Sequence, residues 1–174
     1  MCGAELLPLP DGVQRVARWL AERGHADLPQ MLNGAARTAQ QAADALGVQL
    51  GQIAKSIIFR RQADDAAVLV VTSGDLRVDE AQVAARVGPI GRADAAFVKA
   101  ATGFSIGGVA PVAHQPAAAP EGAAPLVVLV DEQLARFDTI WAAAGHPHAV
   151  FRLTVDDLVR WTGQPAGPVT QAAA

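Results

Sequence analysis

Lys55 and the glycine-rich run Thr102–Pro111 hold the residue types best suited to chemistry in this chain of 174 residues. The run reads Thr102-Gly103-Phe104-Ser105-Ile106-Gly107-Gly108-Val109-Ala110-Pro111. Glycines at 103, 107 and 108 let the backbone take positive φ and come close to a ligand. Pro111 fixes the exit of the run. Such a loop can turn N–H and C=O groups inward and bind without side chains. It lacks the GxxxxGK[ST] pattern of a phosphate-binding loop, and it does not join a strand to an obvious helix as a dinucleotide fingerprint would. A tight structural turn is the alternative reading of the same residues. Lys55 stands at the mouth of a β-rich run. It is either a solvated lysine or a compact cation for a phosphate or carboxylate, with Ser56 adding a hydroxyl.

Other reactive side chains suggest less. His146 and His148 flank Pro147, but no third ligand lies near them, so a zinc site is not expected. Ser56, Ser73 and Ser105 are the only serines, and none sits in GxSxG. No Ser/His/Asp triad is indicated. Asp64-Asp65 fits a turn, and Asp156-Asp157 fits a helix start.

The elements that must position these residues follow from periodicity and punctuation. Val13, Val16, Ala17 and Leu20 give helical spacing over Val13–Arg23, with Asp11 as the expected cap and Gly24 as the stop. Thr38 with Gln41, Asp79 with Gln82, and Thr154 with Asp157 have the spacing of capping boxes. Gln49–Ala54 predicts a short helical turn. Ser56–Arg61 and Ala67–Thr72 predict a hairpin around Gln62–Asp65. Leu126–Val130 predicts a central strand, Glu132–Ala144 a helix, and Ala149–Leu153 a short strand. Residues 90–113 lack periodicity. His114–Pro125 reads as a surface loop, and the alanine-rich tail after Gly163 as mobile. The order is helix-helix-strand-strand-helix-loop-strand-helix-strand-helix, which predicts an α+β fold rather than a doubly wound one.

Composition sets the outer bounds. The length suits one domain, 1–174, with a core at about 13–163. Half the residues are apolar and the net charge is −3, so no general nucleic-acid coat is expected. Twelve arginines stand against two lysines, Lys55 and Lys99. Cys2 is the single cysteine, which excludes a disulfide framework. Residues 1–10 lack a basic signal region, and the apolar run Ala123–Val130 is far too short to span a bilayer. A cytoplasmic protein without membrane, metal or cofactor is expected.

Taken in order, these segments resemble a known family. Thr38-Ala39-Gln40-Gln41-Ala42-Ala43, Ile53-Ala54-Lys55-Ser56-Ile57-Ile58-Phe59 and the glycine-rich run are similar to YbaK/ProX-type aminoacyl-tRNA deacylases, the editing proteins associated with prolyl-tRNA synthetase. Trp141-Ala142-Ala143-Ala144-Gly145 and Phe151-Arg152-Leu153-Thr154 complete the resemblance. It implies a curved, barrel-like mixed sheet surrounded by helices. It implies hydrolysis of the ester of a mischarged tRNA, with tRNA and a synthetase as partners. The catalytic positions implied are Lys55, which would hold the tRNA 3′ end, and Gly107, Gly108 and Pro111 of a GxxxP loop around the ester. The substrate contacts implied are Ser56, Thr102, Gly103, Phe104, Ser105, Ala143 and Gly145. In this family the ribose hydroxyl of the substrate helps align the attacking water. The small apolar stretch Ala142–Gly145, followed by Val150-Phe151, suits alanine or 2-aminobutyrate on tRNA for proline. A cysteine-specific deacylase and a non-hydrolytic module that binds a tRNA end or a nucleotide are the alternatives.

Overall fold

The computed structural model describes residues 9–32, 38–116 and 124–171. The expectations for Cys2 and most of the N-terminal segment lie outside these residues, as does 117–123 of the predicted surface loop. Helices are α1 (Asp11–Glu22), α2 (Ala39–Leu46), α3 (Glu80–Val87), α4 (Ala95–Thr102) and α5 (Val155–Thr162). Strands are β1 (Gln30–Met31), β2 (Ile53–Arg61), β3 (Ala67–Ser73), β4 (Ile90–Arg92), β5 (Val127–Asp131), β6 (Ile140–Ala143), β7 (Ala149–Leu153) and β8 (Ala166–Gly167). They form one mixed sheet in the order β1-β7-β6-β2-β3-β5-β8, with β4 also paired to β2. This is the α+β arrangement expected. No helix among the described residues is long and apolar enough to cross a membrane.

The centre of the sheet is buried on both faces. Every residue of β3 is buried, and its side chains alternate between two cores. Leu69 and Val71 join the larger core with Val13, Val16 and Leu20 of α1 and Leu158 of α5. Val68 and Val70 pack with Val83 of α3 and with Val169. A strand covered on both faces reads as a continuous apolar run, which is why β3 was legible.

Capping residues act where the spacing placed them. Gln41 N–H donates to Thr38 Oγ1 at 3.1 Å. Asp79 accepts from the N–H groups of Ala81 and Gln82, and Thr154 forms a full capping box with Asp157. Each such cap is worth about 1 kcal/mol. α1 differs: Pro10 occupies the cap position with no side-chain bond, and Asp11 sits in the first turn, where its charge favours the helix dipole.

Three segments depart from expectation. Glu132–Ala144 is not a helix. A 3-10 turn over Glu132–Arg136, capped by Asp131, gives way to strand β6. Ile140 and Ala142 are buried while Trp141 and Ala143 are half-buried, a period of two that overrides the helix propensity of the alanines. Residues 90–113 contain α4, capped by Asp94 through Phe97 N–H and stopped by Gly103 at φ 79°. Residues 164–171 dock rather than trailing. β8 pairs with β5, Val169 is fully buried, and Thr170 donates to buried Asp131 at 3.2 Å.

One close approach ties α1 to the turn after β6. A Cβ on Gly12 would strike the carbonyl of Gly145, whose own φ is +91°. Helix propensity alone would favour Gly12→Ala by about 1 kcal/mol. The clash outweighs that, so Gly12→Ala should lower the thermal midpoint by a few degrees, corresponding to about 1–3 kcal/mol. A raised midpoint would show that this approach does not constrain the fold.

Candidate functional site

A cavity of about 320 Å³ opens where β2 parts from β6. Lys55, Ser56 and Ile57 come from β2, while Trp141, Ala142 and Ala143 come from β6. Thr38, Ala39 and Ala42 of α2 close one side, and Ile106, Gly107 and Val109 of the glycine-rich loop close another. Pro147, Ala149 and Val150 complete the wall. Lys55 is the single charged residue lining this cavity among those described.

Lys55 is half-buried. Its Nζ lies 3.5 Å from Leu76 O, at the outer limit of a hydrogen bond. Burial pushes its pKa below the ordinary value of 10.5, the Asp75 carboxylate partly restores it, and Arg77 lowers it again. Asp75 is itself committed to Arg136, with bonds of 2.8 and 3.1 Å. The ammonium is thus partly stripped of water and lacks a close anionic partner, which suits it to an incoming anion.

The glycine-rich loop divides into a support and a lip. Thr102 is fully buried, and its hydroxyl donates to Val98 O at 2.8 Å and accepts from Phe104 N–H at 3.1 Å. Gly103 ends α4, and the ring of Phe104 is buried under the guanidinium of Arg15 at 4.2 Å. These three lie in the wall and do not line the cavity. Ser105 is exposed beyond its edge. Ile106 and Gly107 form the lip, with Gly107 at φ 91°. Gly108 packs so closely on the backbone of His146 that any Cβ would collide with it. Pro111 is buried behind the loop. His114 Nε2 lies 2.8 Å from Ala110 O and pins this exit.

The structure therefore brings Lys55, Ser56, Gly107 and Ala143 together around one space. Gly108, Pro111 and Gly145 do not line it. Ala39, Ala42, Ile53, Ile57, Val109, Pro147, Ala149 and Val150 also line it, and small apolar side chains carry no chemical signature that would single them out. His146 and His148 pack edge to face at 5.4 Å, and no group of three metal-ligating side chains occurs among the described residues.

Comparison with known proteins supplies a lineage. The aminoacyl-tRNA editing domain family matches residues 33–161. A Bacillus subtilis (strain 168) protein, the uncharacterized YwhH, is 35% identical over 124 residues, covering 70% of this chain and 72% of that protein. A crystal structure provisionally assigned as a trans-editing enzyme for prolyl tRNA synthetase superposes with a TM-score of 0.83. It is 35% identical, over 95% of this chain and all of that one. The hypothetical protein APE2540 gives a TM-score of 0.79 at 28% identity, over 90% of this chain and 99% of its own.

The environment of Lys55 is open to direct titration. NMR titration of its side chain should give a pKa below 10.5. A value at or above 10.5 would mean that the cation is fully hydrated and that the cavity does not desolvate it.

Proposed function

Because the chain belongs to the aminoacyl-tRNA editing domain family, we propose that it hydrolyses the ester of tRNA mischarged with a small aliphatic amino acid. One observation carries the reading. A lone, partly desolvated lysine stands at a small apolar cavity walled by a backbone loop, and no carboxylate lines it. A terminal adenosine phosphate supplies the anion that Lys55 lacks. An aminoacyl side chain of one or two carbons fits among Ala42, Ala142, Ala143 and Val109. The similarity to the trans-editing structure favours tRNA for proline as the carrier.

The chemistry requires no protein nucleophile. Water adds to the ester carbonyl, the tetrahedral intermediate collapses, and the bond from carbonyl carbon to ribose oxygen breaks. The ribose oxygen leaves with a proton, and the free amino acid keeps the hydroxyl from water. Among the residues that line the cavity, Thr38 and Ser56 carry hydroxyls. Thr38 already accepts from Gln41 N–H, and Ser56 Oγ is sealed from solvent. Neither is arranged as a nucleophile, so the protein acts by positioning. The loop, at Gly107 and Val109 where it lines the cavity, holds the ester with main-chain groups, a preorganised form of stabilisation. The ribose hydroxyl next to the ester is placed to orient the water.

Lys55→Ala should reduce hydrolysis of alanyl-tRNA for proline by roughly tenfold to a hundredfold, the worth of one charged contact. Its thermal midpoint should stay close to that of the parent, because Nζ makes no strong bond within the fold. Full activity in this variant would remove Lys55 from the site. Across a panel of alanyl, 2-aminobutyryl, cysteinyl and seryl esters, the alanyl and 2-aminobutyryl esters should react fastest, with ratios limited to about 1–3 kcal/mol. Faster clearance of the cysteinyl ester would overturn the assignment to aliphatic groups.

A further inference from the structure

Strand β2 has a gap in its outer edge, and the gap faces the cavity. Along its inner edge, β2 pairs with β3 from Ala54 to Arg60. Arg61 N–H donates to Ala66 O on this side, so odd-numbered residues of β2 turn their polar backbone groups toward β3. Gln62 N–H donates to Pro89 O, so even-numbered residues turn theirs outward. The outer edge is shared. β6 takes Ile53 and Ala54, and β4 takes Phe59 to Arg61. Among the outward-facing residues, Ala54 and Arg60 belong to these ladders and Ile58 adjoins the second. Ser56 falls between the two and has no ladder partner on this outer edge.

β6 shows the matching loss. Ala144 N–H donates to Ala149 O, so even-numbered residues here face β7 and odd-numbered ones face β2. The β2 pairing of β6 stops at Ala142. The carbonyl of Ala143 therefore points past the last rung. Ser56 and Ala143 both line the cavity. The fork thus offers two carbonyl acceptors, Ser56 C=O and Ala143 C=O, and one donor, Ser56 N–H. Unpaired backbone groups at such a place call for a partner.

We propose that this fork is the subsite for the free α-amino group of the aminoacyl ester, which makes the protein selective for unblocked α-amino acid esters. The inference rests on the deacylase reading above. An α-ammonium carries three N–H donors and a positive charge. The cavity lining offers it no carboxylate, so carbonyl oxygens at the strand fork are its natural acceptors. An N-acylated ester keeps one uncharged N–H and adds bulk where the strands converge. Esters with blocked amino groups, including peptidyl esters, are therefore spared.

The test compares three esters on one tRNA: alanyl, N-acetylalanyl and lactyl. The lactyl ester replaces the ammonium with a hydroxyl at nearly the same size, which separates lost charge from added bulk. Each enzymatic rate is divided by the spontaneous rate of that ester in buffer. Both altered esters should fall at least tenfold below the alanyl ester, as expected for losing charged hydrogen bonds. A lactyl ester cleaved as fast as the alanyl one would overturn the amino subsite, and so would an N-acetylalanyl ester cleaved at the alanyl rate. If the alanyl ester itself is not hydrolysed, the deacylase reading fails, and the subsite falls with it.

Discussion

The outer edge of β2 is divided between two neighbours that do not meet, and the site depends on that division. Strands satisfy their backbone groups by pairing, and an unpaired rung inside a fold is costly. Here β3 secures the inner edge along seven consecutive pairs. That leaves the outer edge free to bind β6 at one end and β4 at the other. The interval between them becomes a slot rather than a defect because α2 and the glycine-rich loop wall it in. The main-chain groups of the slot have a geometry fixed by the sheet, so their orientation needs no reorganisation when a ligand arrives.

A polar network at the base of the sheet keeps this end of β2 in place. Buried Asp131 at the end of β5 accepts from Ser73 N–H at 3.1 Å, from Gln133 N–H at 2.9 Å and from the hydroxyl of Thr170. Ser73 in turn donates to Gly51 O at 2.6 Å, just before β2 begins. Arg136 closes the network on Asp75 and Ser73. Its hydrogen bond holds the Asp75 carboxyl below the ordinary carboxylate range. That ion pair adds stability at neutral pH, and the contribution is lost as pH falls through the lowered pKa. Asp75 also offsets part of the desolvation of Lys55. The chain segments that position the lysine and the charges that tune it thus belong to one connected set.

Much of this was legible from residue types. Thr38, Asp79 and Thr154 declared their helices because a capping side chain works through local backbone geometry. β3 declared itself by its continuous apolar run. β6 did not, because Ala142, Ala143 and Ala144 favour a helix locally, and only pairing with β2 and β7 makes them a strand. α4 was hidden by the glycines that follow it, although Asp94 and Phe97 have the spacing of its cap. Lys55 and the turn at Gly107 stood out by residue type, and both line the cavity. Thr102, Gly103 and Phe104 shared the motif but build the wall, a distinction that depends on which way each residue faces. The strand fork left no mark in the sequence at all, since it arises from register between residues 88 apart.

The slot between β2 and β6 is proposed to receive the aminoacyl end of a tRNA. A crystal structure with a non-hydrolysable amide analogue of 3′-alanyl-adenosine tests it directly. The alanyl methyl group should lie among Ala42, Ala142 and Val109, and the amino nitrogen within about 3 Å of Ser56 O and Ala143 O. The adenosine should extend past Gly107 on the side of Lys55. An analogue bound elsewhere on the surface, or bound in the slot with its amino group turned away from both carbonyls, would contradict it.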